Sequence, residues 1–282
     1  MDAPKHLRQQ NKFGNATLQI GDGDHLAIAT SIITISDFRQ KHIAAGGEGA
    51  PLAVYGDYLI FSKPGEDRVL LNIGGIANFT FLPASMDASK VFSTDTGPGN
   101  TMMDAFVQQH FAGKHFDKNA AIALSGTVND KLLLALKKDR FFNQPFPKTT
   151  GPELFNLEYL EKACTNSGTS LLNNEDKMAT LNKFSADCIV TALQKLAPIN
   201  KKLSVFVSGG GIYNNLLMQN IKEQMPYCKF CSTRELNINP DAKEAVLFAI
   251  LANECISGDV SIFGTKNNGM PAISMGKISF PG

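Results

Sequence analysis

The stretch Leu203-Ser204-Val205-Phe206-Val207 narrows most what this chain can fold into, because it reads as an apolar strand of the kind covered on both faces. Such a strand needs helices packed above and below its sheet. The flanking sequence supplies them. Met178, Leu181, Phe184, Cys188, Val190 and Leu193 recur at a spacing close to 3.6 and mark the buried face of a helix expected over about 174–196. Beyond the strand come Ser208-Gly209-Gly210-Gly211, a helix expected over 215–224, a strand near 229–233 and an apolar helix over 242–254 closed by Gly258.

Upstream, Lys63-Pro64-Gly65-Glu66-Asp67 is a polar turn cluster after which β signals become dense. Val69 to Ile73 reads as one strand and the alternating run Ala77 to Leu82 as another, joined by Gly74-Gly75 into a hairpin. A third strand, 90–94, leads into Asp95-Thr96-Gly97-Pro98-Gly99-Asn100 and a helix beginning near Thr101. A hairpin followed by strands alternating with helices gives an α/β layered domain with a mixed sheet. The segment before it is turn-rich, with short apolar runs at 26–29 and 31–35, a strand expected at 16–20 and the glycine cluster 46–49. It reads as the tail end of another domain, so the chain divides into 1–67 and 68–282, with the strand at 16–20 left as an unpaired edge open to self-association.

Charge excludes some functions. Lysine and arginine number 27 against 26 acids, which leaves no field to gather nucleic acid or an anionic membrane. No run approaches the roughly 20 apolar residues that cross a bilayer, and the opening residues lack a signal-peptide core, so a cytoplasmic protein is expected. Five scattered cysteines form no disulfide framework. Cys228-Lys-Phe-Cys231 has metal-site spacing without a second pair nearby and reads as two thiols on a buried strand; the five histidines form no ligand or nucleophile pattern. No metal-ligating residue is assigned.

Three glycine-rich turns at strand ends stand where α/β sheets bind ligands. In 95–100, glycines admit a ligand close to the backbone and the amides of the following helix can face phosphate, while Asp95 at the rim is either a general base, a magnesium ligand or simply a helix cap. Gly209, Gly210 and Gly211, followed by Asn214 and Asn215, form a second cradle for a purine or its phosphates, or only a tight strand-to-helix turn. Gly74 and Gly75 on their own are a hairpin turn. Charged candidates are Asp37-Phe38-Arg39 and Glu244 toward a sugar and Lys148 beside Thr149-Thr150-Gly151 toward a nucleotide, each with a plain surface role as its alternative.

Taken in order, Leu18 to Asp22, Asp37 to Arg39, Ala45 to Leu52, Leu71 to Asn78, Asp95 to Asn100, Lys148 to Gly151 with Phe155-Asn156, Val207 to Gly211 and Asp241 to Ala245 resemble the anhydro-N-acetylmuramic acid kinases over nearly the whole chain. The resemblance implies a two-domain, actin-like (ribonuclease H-like) ATPase fold, with the second domain complete and the first truncated. It also implies ATP as substrate, Mg2+ as its companion ion and a homodimer. The reaction implied opens the 1,6-anhydro bond of the sugar with water while the γ-phosphoryl group moves to O6, giving N-acetylmuramic acid 6-phosphate for cell-wall recycling.

On the same resemblance Asp95 is the catalytic base, and Arg39 and Glu244 hold the sugar. Gly74, Gly75, Thr96, Gly97, Gly99, Asn100, Gly209, Gly210, Gly211 and Asn214 contact ATP. The family's opening Gly-Thr-Ser-x-Asp-Gly turn has no counterpart before Gln19, which makes a catalytically impaired binding remnant the alternative expectation. Ala45 to Leu52 disfavours a hexose or acetate kinase.

Overall fold

The computed structural model describes residues 18–45, 49, 52–196, 202–236, 238–239, 242–259 and 273–282. In chain order its elements are α1 (Gly23–Thr30), β1 (Thr34–Ser36), α2 (Phe38–Ala44), α3 (Ala53–Phe61), β2 (Arg68–Ile73), β3 (Ile76–Leu82), β4 (Phe92–Pro98), α4 (Thr101–His110), α5 (Ala121–Ser125) and α6 (Asp130–Leu136). There follow α7 (Leu157–Ser167), α8 (Asn174–Leu196), β5 (Leu203–Ser208), α9 (Asn215–Gln224), β6 (Cys228–Ser232), α10 (Lys243–Ser257) and β7 (Lys277–Ser279). Contacts group them into two units, one drawn from Met1–Pro64, Leu82–Val91 and Asp241–Gly282, the other from Gly65–Phe81 and Phe92–Pro240. The sequence divides once, at 67/68; the contact grouping returns to the first unit twice.

The larger unit is a five-stranded mixed sheet in the order β4-β3-β2-β5-β6, flanked by helices. β2 runs parallel to β5 and β5 to β6, while β4 is antiparallel to β3 with a register shift between Ala77 and Asn78. Five of the six β5 residues are buried, as its apolar run requires. On the sheet lies α8, whose Ala186, Ile189, Val190 and Leu193 share a core with Val69, Leu71, Ile73 and Phe79. The same helix reaches into a second, helical core through Met178, Leu181 and Phe184, so its 23 residues tie the sheet to α4, α6 and α7.

Where a strand was expected to end at 94, β4 continues through Asp95 to Pro98. Pairing explains it: Gly97 sits opposite Ala77 on β3, and the amide of Asp95 donates to Lys148 O at 2.9 Å. Cys228 and Cys231 lie on β6, the first half-buried and the second buried.

In the smaller unit, β1 pairs antiparallel with β7, placing Ile35 opposite Ile278. The expected strand at 16–20 lies partly outside the described residues, and Leu18–Ile20 within them carry no strand. The apolar run at 26–29 falls within α1, which Asp22 caps by accepting the amides of Asp24 and His25 at 2.9 and 3.0 Å. α3 packs against α10 at Gly56, which leaves room for Leu247. The glycine cluster's residues 46–48 are outside the described set.

Candidate active site

Two parallel neighbours, β2 and β5, end side by side, with Asn72 opposite Ser208. Each is followed by glycines, and these turns come together with the β4–α4 junction. Gly99 and Thr101 donate their amides to Gly75 O at 2.9 and 3.0 Å, and Asn100 donates to Gly74 O at 2.8 Å. Contrary to the sequence expectation, these three amides are therefore not open to a phosphate; the hairpin turn's carbonyls occupy them. Gly99 is needed for the clasp, since a Cβ there would press into Gly74 O. Ser185 on α8 secures the same spot by donating to Gly99 O at 2.8 Å.

The glycines play unlike parts. Gly209 has φ of 85°, and a Cβ on it would lie 2.6 Å from Asn72 Oδ1 and 2.7 Å from Ile73 O. Gly211 is packed against Ile73, and Gly97 faces Cys188 and Phe142 in the interior. Thr96 is buried with its hydroxyl donated to Ala77 O at 3.1 Å. Gly210, by contrast, is exposed, with nothing closer to its missing Cβ than Asn100 Nδ2 at 3.8 Å. Among the described residues, no hydrogen bond satisfies the amides of Gly210 and Gly211, which are the free first donors of a short 3-10 turn over Gly210–Tyr213.

Gly210, Asn100 and Asn214 line one wall of a cavity of about 460 Å³ whose other lining includes Asp104, Phe116 and Tyr213. That volume is within the range of small-ligand sites. Its far wall was not found from the sequence. His115 to Asn119 reach it because Asp117, itself buried, accepts the amides of Ile122 and Ala123 at 2.8 and 3.0 Å and so fixes the loop before α5. Asp104 was also passed over; burial holds its carboxyl above the ordinary aspartate range.

Asp95 neither caps α4, whose N-cap is Asn100, nor sits on a free turn. A strap at 148–150 runs along β4 and grips it: Thr150 N–H donates to Asp95 Oδ2 at 2.8 Å, and Lys148 N–H donates to Thr94 Oγ1 at 3.0 Å. The other carboxylate oxygen, Oδ1, has no hydrogen-bond partner among the described residues. Burial raises the Asp95 carboxyl above its usual range, the Thr150 amide opposes this, Glu153 adds to it and Lys148 works against it.

Lys148 is buried rather than a surface charge. Its ammonium donates to Phe141 O at 2.9 Å and lies 4.0 Å from the centre of the Phe141 ring, with Phe142 and Phe146 close by. Burial and the nearby Lys195 lower its pKa to about 8, with Cys188 and Asp95 pulling the other way.

Arg39 and Glu244 belong to the smaller unit. Arg39, on α2, donates from Nη1 to Gly49 O at 3.3 Å. The same glycine donates its amide to His42 Nδ1 at 2.8 Å, which leaves Nε2 as the protonated nitrogen facing Tyr55 Oη at 2.9 Å. His42 thus braces the loop beside Arg39, a role that histidine spacing could not suggest. Glu244 is exposed in the first turn of α10.

The family model described as anhydro-N-acetylmuramic acid kinase matches residues 6–273. A protein of that name from Pseudoalteromonas atlantica is 59% identical over 273 residues, covering 96% of this chain and 68% of its own length. A second, from Pseudoalteromonas translucida, is 55% identical over 278 residues, covering 98% of this chain and 69% of its own length. Among solved structures, the activator of a 2-hydroxyisocaproyl-CoA dehydratase from Clostridium difficile with bound ADPNP aligns at 15% identity and a TM-score of 0.33, over 70% of this chain and 65% of that one, too distant to compare sites.

Proposed function

Because this chain belongs to the anhydro-N-acetylmuramic acid kinase family, we propose that it hydrolytically opens 1,6-anhydro-N-acetylmuramic acid and phosphorylates O6 at the expense of ATP, a step of peptidoglycan recycling. The observation that carries the reading is the Asp95 carboxylate, half-buried, anchored through Oδ2 by Thr150 and left with Oδ1 unengaged, on the strand that leads into the β4–α4 junction. Oδ1 takes a proton from the water that adds at the anomeric carbon, as the base of an inverting glycosidase does. The C1–O6 bond breaks, and the released O6 accepts the γ-phosphoryl group. Arg39 is assigned to the sugar's lactyl carboxylate, where a guanidinium grips with two bonds, and Glu244 to the sugar pocket.

The nucleoside is assigned to the cavity at Gly210 and Asn214, with the free Gly210 amide as a donor to an acceptor on the ligand and Gly211 packed behind it against Ile73. In this reading Gly74, Gly75, Gly97, Gly99 and Thr96 shape the phosphate side by holding the turns in place rather than by offering amides. The described residues form no cluster of three side chains that could hold a metal, so magnesium would come bound to the phosphates, whose charge it would offset. A homodimer in an actin-like fold and a cytoplasmic setting complete the proposal; no helix among the described residues is long and apolar enough to cross a membrane.

An assay coupling ADP release to 1,6-anhydro-N-acetylmuramic acid tests it. Turnover that disappears in Asp95→Asn supports the kinase reading. ADP and sugar binding without turnover supports the impaired remnant instead, and binding of neither sinks both.

A further inference from the structure

Three carboxamides stand in series behind the cavity wall. Asn214 Oδ1 accepts the Leu217 amide at 3.0 Å, so this atom is an oxygen by necessity: a backbone N–H can only donate. The group that faces Oδ1 from the other side is then the Asn182 NH2, at 3.0 Å. That choice makes the remaining end of Asn182 an oxygen, and it accepts from Asn220 Nδ2 at 3.3 Å. Asn182 is fully buried on α8 among apolar neighbours, where a polar group without partners is costly. Each amide thereby fixes the orientation of the next.

What is left over is Asn214 Nδ2. It has no hydrogen-bond partner among the described residues, and its residue lines the cavity together with Gly210. We propose that Asn182 is a positioning residue: it locks the Asn214 carboxamide so that Nδ2, a donor and never an acceptor, is what the cavity presents to a lone pair on the nucleoside. This rests on the nucleotide reading of the cavity and adds to it a direction of hydrogen bonding and the residue that enforces it. A ring nitrogen or ribose oxygen meets this requirement; an amino group at the same place would not. The Leu217 amide fixes which end of Asn214 is oxygen, and Asn182 is the second donor that holds that oxygen in place.

The test is a double-mutant cycle read by calorimetric titration of ADP into the full chain. Asn214→Ala removes the donor, and Asn182→Ala removes one of the two bonds that hold it in place, leaving only the Leu217 amide. Asn182→Ala alone is expected to weaken ADP binding about fivefold, the scale of one net hydrogen bond, and to change ADP affinity no further in the Asn214→Ala background. A merely structural Asn182 would carry its penalty into that background unchanged. Penalties that multiply, or an Asn182→Ala affinity equal to wild type, overturn the proposal while leaving the nucleotide reading intact. A wild-type chain that binds no ADP overturns both. Should Asn182→Ala fail to fold, the wild type still decides: the Asn214 side-chain NH2 resonance, identified by its loss in Asn214→Asp, must shift on ADP addition, and an unmoved resonance at saturation refutes the donor role.

Discussion

Two glycines that look alike in the sequence are expected to answer substitution in opposite ways. At Gly99 a Cβ would press into Gly74 O and come within 3.3 Å of Ala77 N, and both neighbours are backbone atoms that cannot swing aside. Overpacking of this kind costs about 1–3 kcal/mol. Relief requires parting the clasp made by the Gly99, Asn100 and Thr101 amides, each hydrogen bond contributing about 1 kcal/mol net. Gly99→Ala should therefore lose about 2–4 kcal/mol, and at about 2–4 °C per kcal/mol for a unit of this size the melting temperature should fall by roughly 5–15 °C. At Gly210 the nearest atom to an added Cβ is 3.8 Å away, so Gly210→Ala should stay within about 0.5 kcal/mol of wild type. Urea titration with a shared m-value is the assay. Equal midpoints for the two variants would refute the argument, because it rests wholly on which glycine has backbone against it.

The remaining expectations concern charge. Since burial holds the Asp95 carboxyl above the ordinary range, its base form is gained only as pH rises through that raised pKa, so the acid limb of kcat/KM should lie above the usual aspartate range; a limb within that range would refute the assignment. Removing the opposing cation in Lys148→Met should move that limb to still higher pH; an unmoved limb would show that Lys148 does not act on Asp95. Lys148 itself titrates at about 8 when folded against 10.5 unfolded, so between these values the unfolded chain binds more protons and stability should rise with pH, a slope that urea titrations should find missing in Lys148→Met. Asp187 is the opposite case: burial raises its carboxyl, but bonds from Lys137 at 2.7 Å and Lys183 at 2.8 Å more than offset this and hold it low. Its stabilisation is present above the unfolded value and lost as pH falls through the folded one; Asp187→Asn should cost about 1–3 kcal/mol at neutral pH and flatten that acid loss, as followed by urea midpoint against pH.

Elements with strong periodicity were legible. The helix over 174–196 falls where the apolar spacing put it, the helix over 215–224 follows the glycine turn as expected, and the hairpin follows from alternation after Gly74-Gly75. Those signals are local, set by which side of a helix or strand meets apolar neighbours. The extension of β4 through Asp95 was not legible, because Gly97 and Pro98 carry turn chemistry; what keeps them extended is pairing with Ala77 and Ile76 on β3, while a strap more than fifty residues away in sequence holds Thr94 and Asp95. Lys148 reads as solvated until Phe141, Phe142 and Phe146 are seen to close around it. The cavity's far wall depends on one buried aspartate, Asp117, whose role as an anchor is indistinguishable in sequence from a surface acid. Conversely, the amides after Gly97 looked available because glycine turns usually expose them; here a second turn had already taken them.

The way the smaller unit is drawn from separated stretches bears on the order in which the protein can assemble during synthesis. The larger unit is encoded within Gly65–Pro240, so every strand of its sheet has been made before the last stretch of the chain emerges. β1 must wait: its partner strand β7 lies at Lys277–Ser279, with Ile35 opposite Ile278. Pairing across so long a separation is slow to nucleate. The sheet-bearing unit has thus had time to consolidate before the smaller unit can close on β7. Slowing translation after Pro240 should prolong the time for which β1 and the buried Ala27 of α1 lack β7 beside them, without touching the glycine turns.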